Sequence, residues 1–128
     1  MADLIKKKIL LVDDDSFLLN MYLLKFEKTF EVVSASSGQE ALSKLKEGFK
    51  PDAVVCDVVM PNIDGIELLA MIKEQHLADG AKYVVLSNQG DSSDIERAKK
   101  VGVDGYIVKA SSIPSEVVKL VQEVLDKK

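Results

Sequence analysis

An open parallel sheet covered by helices on both faces is the fold this sequence predicts, and three observations carry the prediction. Short apolar runs recur along the chain: Ile9-Leu10-Leu11-Val12, Ala53-Val54-Val55-Cys56, Tyr83-Val84-Val85-Leu86 and Tyr106-Ile107-Val108. Longer amphipathic segments separate them, the pattern of strands joined by crossover helices. Each run also ends on a polar side chain, in turn Asp13-Asp14-Asp15, Asp57, Ser87 and Lys109. Open parallel sheets bind ligands outside the carboxyl ends of their strands. Three Asp, a hydroxyl and an ammonium are therefore expected on one rim, as a cation site holding a reactive carboxylate.

The elements follow in order. Residues 8–12 form the first strand, and a helix runs over 16–29 with Asp15 or Ser16 as its N-cap. Residues 31–34 form the second strand. Ser36-Ser37-Gly38-Gln39-Glu40 opens a second helix that Gly48 ends. Pro51 leads into the third strand, and a helix over 64–75 follows with Asp64 as its cap. After a loop at Leu77-Ala78-Asp79-Gly80 comes the fourth strand. Asp91-Ser92-Ser93-Asp94 begins a fourth helix, which Gly102 closes. Residues 105–108 form the last strand. The last helix starts at Ile113-Pro114-Ser115-Glu116, where proline suits the first turn. Val117, Leu120, Val121, Val124 and Leu125 give it an apolar stripe. Right-handed crossovers put helices on both faces, and the flavodoxin-like strand order 2-1-3-4-5 is expected, an αβα sandwich.

A chain of 128 residues accommodates these units as one domain over 1–128, with no linker or repeat. The net charge of −4 and a single Arg, Arg97, argue against a nucleic-acid-binding face, which needs a basic stripe. No apolar run approaches the roughly 18 residues of a membrane span. The one cysteine, Cys56, has no partner for an internal disulfide, which fits a cytoplasmic location. It is expected to be an inert core thiol, and His76 an exposed, idle residue rather than a relay. Lys6-Lys7-Lys8 reads as a solvated lead-in.

The first helix is unusual. Phe17, Leu18, Leu19, Met21, Tyr22, Leu23, Leu24 and Phe26 leave it almost no polar face. A stripe of Leu18, Tyr22 and Phe26 is expected on the sheet, with Phe17, Met21 and Leu24 facing outward as a partner-docking strip.

Taken together, Val12-Asp13-Asp14-Asp15, Asp57-x-x-Met60-Pro61-x-x-Asp64-Gly65, Ser87 and Tyr106-x-x-Lys109 resemble a response-regulator receiver domain of two-component signalling, of the single-domain chemotaxis type. Each motif alone is weak, since a strand-end Asp is often a helix cap; all of them in order are specific. The resemblance implies that Asp57 accepts a phosphoryl group from a histidine kinase or histidine phosphotransfer protein. It implies that Asp14 and Asp57 ligate Mg²⁺ (or Mn²⁺), with Asp13 holding a coordinated water and the Val59 carbonyl adding an oxygen. Lys109 and Ser87 would contact the phosphoryl oxygens, and Ser87 and Tyr106 would move inward as the switch. The first helix would dock the donor, a downstream protein target would read the outcome, and the chain would be a monomer or weak homodimer. It implies no turnover of an outside substrate.

The physical case for the metal is independent of the family: like carboxylates held together resist ionising together, and Mg²⁺ favours hard oxygen ligands. A flavin or nucleotide carrier would need a phosphate cradle after the first strand, where three Asp instead repel phosphate. A phosphorylation-independent pseudo-receiver is the alternative, argued for by one departure: Ala110 follows Lys109 where the family usually has proline. Because a cis bond before a non-proline residue costs about 2.5–4 kcal/mol, a trans bond is expected there. Asn88 is the other departure, expected to narrow access to Asp57 and lengthen the phosphoryl lifetime.

Overall fold

The computed structural model describes residues 6–87, 92–109 and 113–127. Asn88 and Ala110, with the expectations attached to them, lie outside the described residues. The elements alternate: β1 (Lys8–Val12), α1 (Ser16–Phe26), β2 (Glu31–Ala35), α2 (Gly38–Lys46), β3 (Ala53–Asp57), α3 (Gly65–Glu74), β4 (Lys82–Ser87), α4 (Ser92–Val101), β5 (Gly105–Val108) and α5 (Pro114–Asp126). All pairings are parallel, and the strand order is β2-β1-β3-β4-β5, as expected.

Strand side chains alternate between faces, so the strands split the core in two. Leu10, Val12, Val54, Cys56 and Val85 pack under α2, α3 and α4 with Leu42, Ile66, Leu69 and Ala98. Ile9, Leu11, Val55, Val84 and Ile107 pack under α1 and α5 with Leu19, Tyr22, Phe26, Val117 and Val121. A sheet covered on both faces explains why β1, β3 and β4 read as unbroken apolar runs. Cys56 is wholly buried, and its thiol donates to the Gly65 carbonyl at 3.5 Å. Burial pushes that thiol well above its ordinary pKa, in keeping with the inert core residue expected.

The helix starts obey local chemistry. The Asp15 carboxylate accepts from Phe17 N and Leu18 N at 3.0 and 3.1 Å, which fixes it as the cap of α1. Asp64 and Glu67 form a capping box at α3, with bonds of 2.8 and 3.0 Å. Gly102, at φ 87°, turns the chain out of α4 through a conformation that side chains disfavour.

α1 departs from its expected phase and length. Its buried residues are Leu19, Tyr22 and Phe26, whereas Leu18 is only half-buried. At about 100° per residue, Leu19 and Phe26 lie about 20° apart around the axis, and Leu18 and Phe26 about 80°. Phe17 and Leu24 face solvent at 75% and 67% exposure, but Met21 is half-buried against the core. The helix ends at Phe26 rather than at residue 29. Phe30 turns inward to pack on the Phe26 ring, with centroids 5.7 Å apart, and so directs the chain into β2.

Candidate functional site

Register brings the strand ends together. Val12 pairs with Cys56, Asp57 with Leu86, and Ser87 with Val108. The residues that end or follow these strands (Asp13, Asp14, Asp57, Ser87 and Lys109) therefore gather at the carboxyl end of the sheet. Asp13, Asp57 and Ser87 are buried, while Asp14 is exposed. Asp13, Asp14 and Asp57 each offer an oxygen within 4.8 Å of the others. The Lys109 ammonium lies 3.2 Å from Asp13 Oδ2 and 3.3 Å from Asp57 Oδ2, almost fully screened from water. The second Asp13 oxygen, Oδ1, accepts from Asp15 N at 3.0 Å. Asp57 Oδ1 is buried without a hydrogen-bond partner among the described residues.

The electrostatics favour a further cation. Burial raises the Asp57 pKa above its ordinary value, Asp13 and Asp14 add to the rise, and Lys109 opposes it. Burial works against the Lys109 charge, but Asp57 and Asp13 outweigh it and hold the ammonium above its usual range. Three carboxylates with one ammonium leave a surplus of two negative charges when all are ionised, which a divalent ion cancels. Hard oxygen donors, one of them buried and without a partner among the described residues, suit a hard divalent cation.

The loop after β3 is held against the site. Val58 N donates to Leu86 O at 3.0 Å and Gly65 N to Val58 O at 2.9 Å. Gly65 presses on the Asp57 carbonyl so closely that no Cβ fits, which is why glycine starts α3. Val59 lies in this loop with its side chain exposed. Tyr106 is half-buried and borders a cavity of about 210 Å³ with Ile95, Ala98, Lys99 and Val103.

Some contacts escape sequence reasoning. Arg97 reaches from α4 to Asp64 at 2.6 Å and to Asp94 at 3.3 Å, tying α4 to the cap of α3. The Tyr22 ring centroid lies 6.0 Å from Lys109 Nζ. His76 is exposed, as expected, with its Nδ1 3.2 Å from Asp79 Oδ1 at the surface. The sequence offered one signal here, a tyrosine among the apolar residues of α1; nothing marked Arg97 as a partner of Asp64.

Comparison with known proteins then decides the family. The model of the response regulator receiver domain matches residues 9–122. This chain belongs to that family. Chemotaxis protein CheY of Halobacterium salinarum is 39% identical over 120 residues, covering 93% of this chain and 97% of that protein. The alkaline phosphatase synthesis transcriptional regulatory protein PhoP of Bacillus subtilis is 35% identical over 93% of this chain, but the match covers only 48% of PhoP. Among solved structures, CheY4 of Vibrio cholerae superposes with a TM-score of 0.82 at 28% identity, over 93% of this chain and 98% of CheY4. A CheY-like receiver domain protein from Methanospirillum hungatei gives 0.83 at 29%, over 94% of each. The receiver domain is a two-component signalling protein whose output is switched by phosphorylation, and its acidic pocket suits an aspartyl phosphate and a divalent metal. No described helix is long and apolar enough to cross a membrane.

Proposed function

We propose that Asp57 is the phosphoacceptor of a single receiver domain spanning the chain. A carboxylate oxygen of Asp57 attacks the phosphorus of a phosphohistidine, an O–P bond forms as the N–P bond breaks, and the histidine leaves. The observation that carries this reading is the buried Asp57 carboxylate, with one oxygen 3.3 Å from Lys109 Nζ and the other without a hydrogen-bond partner among the described residues. An aspartate nucleophile is an established form of covalent catalysis.

Asp13, Asp14, Asp57 and the Val59 carbonyl would hold Mg²⁺ (or Mn²⁺), which supplies charge neutralisation for the carboxylates and the incoming phosphoryl oxygens. Lys109 contributes a buried positive charge at the acceptor oxygen, and the Ser87 hydroxyl a donor one strand over. Both gain full contacts only when a phosphoryl group is present. That differential interaction is what shifts a two-state equilibrium, and Tyr106, beside its cavity under α4, is the aromatic that carries the shift to the surface. The donor is a histidine kinase or histidine phosphotransfer protein docking on α1, where Phe17 and Leu24 are exposed with half-buried Met21 between them. The output is binding to a protein target rather than to nucleic acid or turnover of an outside substrate. The domain acts in the cytoplasm as a monomer or weak homodimer.

Incubation with Mg²⁺ and acetyl phosphate or phosphoramidate tests this, read on a phosphate-retarding gel with EDTA controls. The expected result is a Mg²⁺-dependent shift that Asp57→Asn abolishes. No shift, together with no Mg²⁺ or beryllofluoride binding by calorimetry, would establish a pseudo-receiver instead.

A further inference from the structure

We propose that Tyr22 is a positioning residue for phosphoryl acceptance, its ring holding the Lys109 ammonium in place when a metal engages the carboxylates. The inference rests on the phosphoacceptor reading above. Among the described residues Lys109 Nζ has two charged neighbours, Asp13 Oδ2 at 3.2 Å and Asp57 Oδ2 at 3.3 Å, and both belong to the candidate metal cluster. A cation bound there draws on the same oxygens and weakens their hold on the ammonium. The ring face of Tyr22, 6.0 Å from Nζ, is a partner for which the metal does not compete. Its attraction comes from the ring quadrupole, which ionisation and metal binding leave in place.

The ring is also fixed. Tyr22 is 3% exposed and packs edge-to-face on Phe26 at 6.4 Å and 79°, and Phe26 packs on Phe30 at 5.7 Å. This aromatic row gives α1 a rigid wall behind the lysine. A buried ammonium that loses its partners is costly and withdraws towards water. With the wall present, it stays beside the Asp57 oxygen that the phosphoryl group must reach. A purely structural Tyr22 would fill the core equally well as another residue of its size, and its loss would act independently of Lys109.

The test uses the full chain with saturating Mg²⁺ and acetyl phosphate, and follows the rate of Asp57 phosphorylation. Parent, Tyr22→Leu, Tyr22→Phe, Lys109→Gln and the Tyr22→Leu/Lys109→Gln double variant are compared. Tyr22→Leu is expected to slow the reaction about 3- to 10-fold, between the values of an exposed and a desolvated cation–ring contact, because 6.0 Å is at the outer limit of such contacts. Tyr22→Phe, which keeps the ring, is expected to restore the rate. In the Lys109→Gln background Tyr22→Leu should have no further effect, the signature of residues acting through one another. The Mg²⁺ affinity of Tyr22→Leu should match the parent's. Should Tyr22→Leu fail to fold, Tyr22→Met takes its place, since methionine fills irregular core space without a ring. A parental rate in the ring-less variant, equal slowing by Phe and Leu, or independent effects of Tyr22 and Lys109 would each overturn the role of Tyr22 alone. A parent that accepts no phosphoryl group would overturn the phosphoacceptor reading, and this inference with it.

Discussion

Each end of the sheet places a lysine by a tyrosine ring, and the two lysines keep different company. At the amino end, Lys73 Nζ lies 5.1 Å from the Tyr83 centroid and donates to Val101 O at 2.8 Å and Gly102 O at 3.0 Å. Those carbonyls close α4, where a cation complements the helix dipole. At the carboxyl end, Lys109 lies 6.0 Å from the Tyr22 centroid and faces two carboxylates instead. Neutral carbonyls keep their state whatever binds elsewhere. Carboxylates can be shared with a metal or a phosphoryl group. The same pair of side chains is thus a fixed clasp at one end and, in the proposed reading, part of a switch at the other.

The comparison can be broken at either end. The largest effect is expected at Gly65, whose absent side chain lets the Asp57 carbonyl lie against it. Gly65→Ala forces that backbone apart and should cost about 3 kcal/mol or more in urea denaturation, with Mg²⁺ binding lost by calorimetry. The amino-end clasp does not touch Gly65, so the Lys73 contacts should survive wherever the variant folds.

A smaller effect, of opposite sign, is expected from Asp57→Asn in EDTA. Burial raises the Asp57 pKa, so the folded protein binds that proton more tightly than the unfolded chain. Its share of stability is present at low pH and is lost as pH rises through the folded value. At neutral pH the substitution should therefore stabilise the metal-free protein, Lys109 keeping Asp13 as its partner, and the gain should shrink on acidification. Urea denaturation at several pH values measures it; a destabilised variant would mean that Lys109 outweighs the burial cost. The smallest effect is expected at Lys73→Met, about 1 kcal/mol or less from the lost contacts to the α4 carbonyls. Its rate of phosphoryl uptake should equal the parent's, and a slowed rate would mean that the two ends are not independent.

The sequence revealed most where burial and chain direction agree. Central parallel strands are apolar throughout, so the first polar residue marks the carboxyl end. Asp13, Asp57 and Ser87 could be assigned to one rim on that ground alone, and Lys109 followed from the short apolar run of the edge strand β5. Asp15 and Asp64 announced themselves as caps because a short carboxylate before a helix meets unpaired N–H groups. α1 resisted, since apolar residues around most of its circumference leave the pattern without a phase. Only packing shows that Leu19 rather than Leu18 turns inward. Its end was equally hidden, because the inward turn of Phe30 depends on the Phe26 ring. The Arg97 to Asp64 contact joins residues on different helices, and no local periodicity encodes such a pair.

Cys56 has a practical consequence. It stands in β3 next to Asp57, hydrogen-bonded in register between β1 and β4, with no exposed surface. A thiol reagent in solution meets that sulfur only when α3 lifts from the sheet or the sheet itself opens. The rate at which the native protein is labelled therefore counts those openings. The chain carries a single internal reporter, one residue from the proposed acceptor, for how firmly α3 and β3 are held together.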